Sequence, residues 1–558
     1  MVPTAVPAAR TMNNEKNVVG FLNDTAWQWA KGGGGYSIDY GYDIAVDHSG
    51  NSYVTGKFHA SAVFGTTNLR SYGGWDIFVA KLSPNGEWQW AVNAGSILQD
   101  EGASIAVDDE GNSYITGVFY DVAWFGNITL TSLGGLDVFV AKIDTNGNWQ
   151  WAIRAGGYVG EAGYGIALDR SGYCYITGHF MFSAMFGDTT LTSQGSADVF
   201  VAKLDTEDTS WQWAVSAGGS SEDYVHDIAL DSNGNPSITG DFEGSSTFGA
   251  TTLTSQGSAD VFVAKLDTNG NWQWAKSGGG TSIERSYDVA VDSQGNTCIA
   301  GTFMRSTTFG TTTLTSQGEG DAFVTKLDTN GNWQWAKSAG GAISDGAWGV
   351  AVDALGNIYL TGVFEDSASF GGITITSTGI KEVFVSKLGP NGNWQWAISA
   401  GGADWDEGYA LTVDSNQYVY VTGYFAGSAF FGATTITTQG DFDVFIAKLS
   451  QQGDITFDIT GGLGVNVIIT NFGGEDATEV PWLIHVEGGI LGLAKRTTEG
   501  TVDIPAGESK AVRSGMLLGL GPLAITVRVG PDEKTATGTQ FIVFSIVNDS
   551  TFQYHLRQ

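Results

Sequence analysis

One short motif returns along most of this chain at an almost constant interval. Trp-Gln-Trp begins at positions separated by 61 or 62 residues, namely Trp27, Trp88, Trp149, Trp211, Trp272, Trp333 and Trp394. A fixed period of this length indicates a repeat architecture, in which each unit buries its apolar surface against its neighbours. The repeat therefore constrains the fold more strongly than any other feature of the sequence.

Each repeat contains short runs rich in β-branched and aromatic residues, separated by turns of Gly, Asn and Asp. In the first repeat the runs are "DIAVD", "SYVTGKF" and "DIFVAKL", and the next Trp-Gln-Trp segment supplies a fourth. Such runs predict β-strands, and no part of the repeat has a helical period. Four antiparallel strands repeated radially make a propeller blade. The sequence therefore predicts an all-β chain with a seven-bladed β-propeller over residues 27–450.

The two ends of the repeat predict how the ring closes. Trp27 precedes the first "IAVD" run, whereas the last repeat stops after "DVFIAKLS" at Ser450. We therefore expect the N-terminal strand to complete the last blade. The paired tryptophans are expected to pack blade against blade, and a ring of exposed stacking platforms is the alternative. Residues 1–26 are assigned as an N-terminal extension that lacks the apolar core of a signal peptide.

The text of the repeat resembles a known family. "GYDIAVDHSGNSYVTGKF" and "SYDVAVDSQGNTCIAGTF" resemble the seven-bladed β-propeller repeat (SBBP) family over about residues 27–450. This resemblance implies a secreted or surface protein with no settled activity. Over residues 451–558, "GVNVIITNFGG" and "IPAGESKAV" resemble the cell-adhesion-related (CARDB-like) extracellular domain family. That second resemblance implies an immunoglobulin-like β-sandwich that spaces, anchors or docks a partner domain.

Charge and cysteine content exclude several classes of partner and site. The formal net charge of −33 argues against nucleic acid and anionic membrane surfaces, because both select for Lys and Arg. The charge suits an extracellular or cell-surface protein. Cys174 and Cys298 fall at non-equivalent positions of different repeats, so neither a disulfide framework nor a zinc site is predicted. No apolar stretch is long enough to predict a membrane span.

A candidate site lies in the loops that precede the first and third strands of each repeat. Every first strand is preceded by a carboxylate, at Asp39, Asp100, Glu161, Asp223, Glu284, Asp345 and Asp406. Every third strand begins with another, at Asp76, Asp137, Asp198, Asp260, Asp321, Glu382 and Asp443. First and third strands of a meander start at the same end, so both sets are expected on one face. They either accept backbone N–H groups at turns or hold Ca²⁺ or a cationic ligand.

Three residues on this face stand out because they break the repeat. Tyr158, Arg285 and Trp405 occupy loops whose other positions differ from one repeat to the next. Aromatic and Arg side chains are frequent contacts to a partner, so we predict that they bind together with the first carboxylate set. No catalytic residue is predicted, since no zinc spacing, nucleophile elbow or P-loop occurs. No cofactor is expected to be required, and Ca²⁺ is the candidate ion.

These features together predict a non-enzymatic binding or adhesion protein of the extracellular space or cell surface. Its acidic loops would face a glycan, a surface protein or a second copy of the chain. Two alternatives stay open: a structural subunit of a surface layer or filament, and a carbohydrate-active hydrolase or lyase with two carboxyl groups at a suitable separation. An enzyme predicts one blade with an anomalous acid–base pocket, whereas a structural subunit predicts large contacts between copies and no pocket.

Overall fold

A computed structural model describes the chain from residue 25 to residue 451. Beyond that point it describes residues 455–460, 465–471, 477–488, 494–505, 508–514, 519–529, 532–542 and 544–548. The predicted N-terminal extension lies outside the described residues apart from its last two. The described chain is all-β, and it contains no helix with the length and hydropathy needed to cross a membrane. Residues 26–450 form one compact unit, and a second unit begins at Gln451.

The first compact unit is propeller-like and consists of antiparallel sheets with the same strand order. The first strands are Asp39–Val46, Glu101–Val107, Glu161–Leu168, Asp223–Leu230, Glu284–Val291, Gly346–Val352 and Glu407–Val413. The second strands are Ser52–Phe64, Ser113–Phe125, Tyr173–Phe180, Pro236–Phe242, Thr297–Phe303, Ile358–Phe364 and Val419–Phe425. The third strands are Thr67–Leu82, Ile128–Ile143, Asp198–Asp205, Asp260–Leu266, Asp321–Leu327, Glu382–Leu388 and Asp443–Gln451. The fourth strands are Trp88–Ala94, Trp149–Gly157, Trp211–Gly219, Trp272–Gly280, Trp333–Ala339, Trp394–Gly402 and, for the last sheet, Thr25–Gly33.

The first described strand pairs with the last sheet, as the order of the repeat predicts. Thr25–Gly33 lies beside Asp443–Gln451 as the outermost strand of the last sheet. The Gln28 amide Nε2 donates to Ser450 Oγ at 2.6 Å. At the inner edge, the backbone N–H of Asp39 donates to the Phe442 carbonyl at 2.8 Å, which ties the first sheet to the last.

Small hairpins between second and third strands tie each sheet to the preceding one. They are Ser183–Phe186 with Thr189–Thr192, Ser245–Phe248 with Thr251–Thr254, Ser306–Phe309 with Thr312–Thr315, Ser367–Phe370 with Ile373–Thr376, and Ser428–Phe431 with Thr434–Thr437. In the first two sheets the hairpin arms continue the long second and third strands. Gly218 and Gly219 of one sheet pair with Thr247 and Ser246 in the hairpin of the next. The hairpins therefore extend the outer edge of the neighbouring sheet.

The paired tryptophans join adjacent sheets. Trp272 packs edge-on against Phe248, with ring centroids 5.3 Å apart. Trp274 Nε1 donates to the Thr329 carbonyl of the next sheet at 3.1 Å. A Cβ on Gly331 would lie 2.8 Å from the Trp274 ring, so glycine lets that turn approach the indole. The packing role predicted for these tryptophans is confirmed here, and between the sheets lie apolar clusters built from two neighbouring sheets.

The second compact unit contains two sheets around its own apolar core. One sheet consists of Ile455–Thr460, Asn466–Asn471 and Ser509–Arg513, and the other of Ala477–Gly488, Ala494–Ile504, Gly519–Val529, Asp532–Ile542 and Phe544–Asn548. Val467 from the first sheet and Ile484 and Ile525 from the second are fully buried in one cluster.

Candidate functional site

We call the end of the propeller-like unit at which first and third strands begin the loop face. Phe58 of the first sheet lies opposite both Asp39 and Asp76, so the two carboxylates occupy the same end. The cysteines lie elsewhere: Cys174 and Cys298 are free thiols buried in second strands. The predicted carboxylates therefore lie on the loop face.

The repeated carboxylates come together in pairs, each formed between two neighbouring sheets. Asp443 Oδ1 and Asp39 Oδ2 lie 2.5 and 2.8 Å from the position that a Cβ on Gly34 would occupy. Asp76 Oδ1 and Asp100 Oδ2 lie 2.7 and 3.1 Å from the equivalent position on Gly95. A side chain at either glycine would overlap the carboxylates, so the repeated glycine is what makes room for the pair.

The predicted first carboxylate set is buried and bonded to the loops that surround it. Asp39 Oδ2 accepts the Gly35 N–H at 2.7 Å, and Asp39 Oδ1 accepts the His59 N–H at 3.1 Å. Asp39, Asp100, Glu161, Asp223, Glu284, Asp345 and Asp406 are each at most 3% exposed. Their observed contacts are those of turn-stabilising carboxylates. That they contact a ligand or Ca²⁺ stays a prediction.

Burial and the closeness of a second carboxylate make these pairs hold protons more tightly than ordinary carboxylates, although in one pair Arg154 Nη1 lies 3.6 Å from Asp137 Oδ2. Burial raises the pKa of Asp223 to about 7, and the charge of Asp198 adds to this effect. Oδ1 of Asp223 and Oδ1 of Asp198 have no hydrogen-bond partner among the described residues. Within that same part of the chain, no group of three or more His, Cys, Asp or Glu side chains is placed to hold a metal ion.

The individual residues of the loop face lie at its surface. Tyr158 is 80% exposed, Trp405 is 43% exposed, and the Arg285 side chain is half exposed with Nε 3.8 Å from Asp241 Oδ2. Trp405 also lies under Lys381, whose Nζ is 5.0 Å from the ring centroid. Four other loops before first strands expose apolar side chains too, but the loop before Asp223 does not. We call the apolar rim the residues Tyr36, Ile97, Leu98, Tyr158, Val159, Ile283, Ile343 and Trp405 of these loops, together with Phe182.

Phe182 is held in an unfavourable backbone conformation beside the rest of the rim. Its φ is 56°, and the side chain is 70% exposed. Gly244 and Gly427 occupy the equivalent place in two other sheets, with φ of 66° and 61°. A left-handed conformation at a bulky residue costs on the order of 1 kcal/mol relative to glycine. The left-handed conformation is shared by the equivalent residues of the other sheets, Ala60, Asp121, Arg305 and Asp366. What distinguishes Phe182 is therefore a large exposed aromatic side chain at this position.

A second candidate site, the axial cavity, lies between the first strands and was missed from the sequence. It has a volume of about 220 Å³. Six ring-bearing side chains line it: Tyr42, Tyr164, His226, Tyr287, Trp348 and Tyr409. Each sits at a β-bulge, where the pairing of the first strand with the second skips one residue. A bulge turns one side chain out of the regular alternation, and here it places the ring in the cavity wall.

Three carboxylates, Asp43, Asp227 and Asp288, each follow a bulge residue and line the same cavity. Burial raises the pKa of Asp43 to about 6. Asp227 and Asp288 are hydrogen-bonded to each other, and burial raises the pKa of both. No Lys or Arg is among the residues that line the cavity. The sequence does contain a sign of these bulges: the pairs "YD", "HD" and "YD" end at Asp43, Asp227 and Asp288. In each pair, a second consecutive polar residue breaks the alternation expected of a strand.

Comparison with known proteins finds sequence similarity to a WD repeat-containing protein but does not assign the chain to a family. No family model matches it, so neither the SBBP nor the CARDB-like resemblance is confirmed. It is 26% identical to an uncharacterized WD repeat-containing protein of Acanthamoeba polyphaga mimivirus, over 77% of this chain and 39% of that protein. It is also 26% identical to the regulatory protein FlaEY of Caulobacter vibrioides, over 53% of this chain and 31% of that protein. The chain therefore spans well under half the length of these relatives.

Among solved structures, the WD40 domain of Neurospora crassa Pan2 aligns over 73% of this chain and 88% of its own. The sequence identity is 9% and the TM-score is 0.37. The Dos1 propeller aligns over 77% of this chain and 96% of its own, with 9% identity and a TM-score of 0.36. These likenesses concern the fold alone.

Proposed function

We propose that this protein is a non-enzymatic interaction scaffold of the extracellular space or cell surface. Its loop face would bind a protein partner through the apolar rim. We also propose that the first compact unit is a closed seven-bladed ring and that the second is an immunoglobulin-like spacer or docking module. The observation that carries the binding proposal is that the loops before six first strands expose apolar side chains on one face.

Two physical arguments support a partner on this face. Exposed apolar side chains gathered on one face of a soluble protein mark an interaction surface, because isolated ones are ordinary and gathered ones are not. Phe182 supports the same conclusion, since its aromatic side chain is 70% exposed beside the other apolar side chains of the rim. Similarity to a WD repeat-containing protein is in keeping with a repeat scaffold.

The repeated carboxylates favour a non-enzymatic role. A glycoside hydrolase needs two carboxyl groups within reach of the scissile bond. Asp39 and its equivalents are buried and bonded to backbone N–H groups, which leaves them little surface for a sugar. The apolar rim instead presents the large exposed side chains that a protein interface uses.

The test uses variants of the rim that leave the scaffold intact. The full chain would be immobilised and exposed to solubilised surface proteins and, separately, to polysaccharide fractions of the source cells. Phe182→Gly removes one rim side chain and relieves the backbone, so we expect higher stability and weaker partner retention. A double variant, Tyr158→Ser with Trp405→Ser, should weaken retention further. The matched control is Leu355→Ser, which removes an exposed apolar side chain from a D-x-x-G-N turn outside the rim.

The other outcomes distinguish the alternatives. Retention of polysaccharide that needs Ca²⁺ would favour the glycan-binding hypothesis and the carboxylate set. Release of soluble sugar would contradict the non-enzymatic proposal. Concentration-dependent assembly of the purified chain in sedimentation, abolished by the rim variants, would identify the partner as a second copy. Equal retention by all variants would contradict the role of the apolar rim.

A further inference from the structure

We propose that the axial cavity binds a small organic cation that carries a methylated ammonium group, of the choline type. This proposal concerns the space between the first strands and is independent of the partner proposed for the loop face. It rests on the shape of the cavity, the rings that line it and the charge that it holds.

The cavity wall is built for ring faces. The skipped residue of the bulge carries a ring in the first strands of six sheets, and in the remaining one it is Ala103. His226 and Tyr287 have ring centroids 5.4 Å apart, and Tyr287 and Trp348 have centroids 4.5 Å apart, so these three rings lie against one another. A bulge disrupts the ladder wherever it occurs, and bulges near functional sites serve to re-aim side chains. The bulges of these six first strands therefore have the same result: each places a ring in the cavity wall.

Asp43, Asp227 and Asp288 line the cavity without a Lys or Arg. Asp227 and Asp288 share a hydrogen bond and therefore a proton, so the three acids carry at most two negative charges. Two cations that neighbour wall residues in space or in sequence are held by other acids. Lys57 Nζ is 2.6 Å from Glu101 Oε1, and Arg285 Nε is 3.8 Å from Asp241 Oδ2. Asp241 also bonds His226 through Nε2 at 2.8 Å.

The carboxylates supply charge rather than free hydrogen-bond acceptors. Asp43 Oδ1 accepts the Ile44 N–H at 2.7 Å, and Oδ2 accepts the Ser104 hydroxyl at 2.7 Å and the Ile105 N–H at 2.8 Å. Asp288 is used in the same way by the N–H groups of Val289 and Val350, at 2.7 and 2.6 Å. A primary amine would need acceptors for three N–H groups, whereas a methylated ammonium needs only ring faces and nearby negative charge. The cavity therefore favours the methylated cation.

Two further observations agree with this ligand class. Lys57 Nζ lies 5.3 Å from the centroid of the Tyr42 ring, so a wall residue already interacts with an ammonium group. The volume of about 220 Å³ is below that of pockets for drug-sized ligands, which begin at roughly 300 Å³. A choline-sized cation fits within this volume.

The experiment is a calorimetric titration of the full chain with choline chloride. The matched probe is 3,3-dimethylbutan-1-ol, which has the shape of choline without its charge. We expect choline to bind with a dissociation constant in the millimolar range or below. The neutral probe should bind at least about tenfold more weakly, because it loses the cation–π and carboxylate attraction. Ethanolamine, the primary amine, should also bind more weakly than choline.

Variants locate the binding. Trp348→Leu and Asp43→Asn should each weaken choline binding by about tenfold. Trp348 Nε1 has no hydrogen-bond partner among the described residues, so the leucine loses the ring without breaking a hydrogen bond. Ala103→Tyr, which fills the cavity, is the second variant if either of these fails to fold. Trp405→Leu on the loop face is the control and should bind choline as the parent does.

Either of two results would overturn the proposal. One is the same affinity for choline and for 3,3-dimethylbutan-1-ol, or no heat from choline over the millimolar range. The other is unchanged choline binding in folded Trp348→Leu and Ala103→Tyr, which would place the cation outside the axial cavity.

Discussion

The carboxylates at the two ends of one strand have pKa values that are shifted in opposite directions. Asp223 begins the strand Asp223–Leu230 on the loop face, and Asp231 follows the strand at its other end. Burial without a counter-ion raises the pKa of Asp223 to about 7. Burial also acts to raise the pKa of Asp231, but hydrogen bonds from Asn235 and Lys265 hold it below its usual value. Lys265 Nζ lies 2.9 Å from Asp231 Oδ2, and both side chains are at most 8% exposed.

This difference shows that repetition of a carboxylate does not fix its chemical role. Asp231 forms a buried ion pair, and Lys326 with Asp292 repeats it at 2.9 Å in the next sheet. Asp223 and Asp198 form an acid pair that keeps a proton near neutral pH. The first arrangement ties strands through charge, and the second ties loops through hydrogen bonds to backbone N–H groups. The two ends should therefore respond differently to mutation and to pH.

The largest expected effect comes from removing the charge of Asp231. Asp231→Asn leaves Lys265 buried without its partner, which should lower the free energy of unfolding by about 3–5 kcal/mol. Asp223→Asn should cost only about 1 kcal/mol near neutral pH, because it replaces a largely protonated carboxyl and loses one hydrogen bond. Urea unfolding followed by tryptophan fluorescence would measure both variants.

Two controls sharpen this test. Asp267→Asn changes an exposed turn carboxylate and should shift the unfolding free energy by less than about 0.5 kcal/mol. The double variant Asp231→Asn with Lys265→Met should recover part of the loss, since it removes the unpaired charge. Equal losses for Asp223→Asn and Asp231→Asn would show that the two ends do not differ in the way described.

The pH dependence of stability is the second prediction. The folded chain keeps a proton on Asp223 up to about pH 7, whereas the unfolded chain releases it near the usual value of 3.8, and burial raises the pKa of its equivalents as well. Unfolding then releases protons between about pH 4 and pH 7, so the free energy of unfolding should fall as pH rises through this interval. Asp231 acts the other way: its contribution is complete above about pH 4 and is lost as pH falls below that value. The urea midpoint should accordingly be higher near pH 5 than near pH 8.

Variants separate the loop-face acids from the general effect of net charge. Asp223→Asn combined with Asp345→Asn should reduce the difference between the two pH values, because the amides do not titrate. Asp231→Asn should leave that difference unchanged. A midpoint that is higher near pH 8 in the parent chain would contradict the assignment of protonated pairs to the loop face.

The sequence predicted the strands and the placement of the two acidic sets on one face, because both follow from period and alternation; it did not predict that the carboxylates form pairs between neighbouring sheets. It also predicted the strand pairing of Thr25–Gly33, since the repeat begins with a fourth strand and ends with a third. It did not predict that Asp39 and its equivalents are buried, because burial depends on how close the glycine loops of the neighbouring sheet approach. It missed the axial cavity for a related reason. A bulge shifts Tyr42 or Tyr287 onto the inner edge, and the two-residue alternation used to read a strand assumes that no bulge is present.

The smallest expected effect concerns a contact between neighbouring sheets at the end of the propeller-like unit opposite the loop face. Trp274→Phe keeps most of the buried ring but removes the hydrogen bond from Nε1 to the Thr329 carbonyl. That loss should lower the free energy of unfolding by about 1 kcal/mol, less than the loss of the ion pair in the same region. Trp405→Phe is the matched control, because its ring lies at the surface of the loop face and should leave stability within about 0.5 kcal/mol of the parent. If Trp274→Phe cost as much as Asp231→Asn, that end would be held by its indoles, and the contrast between paired and unpaired carboxylates would no longer explain how the two ends differ.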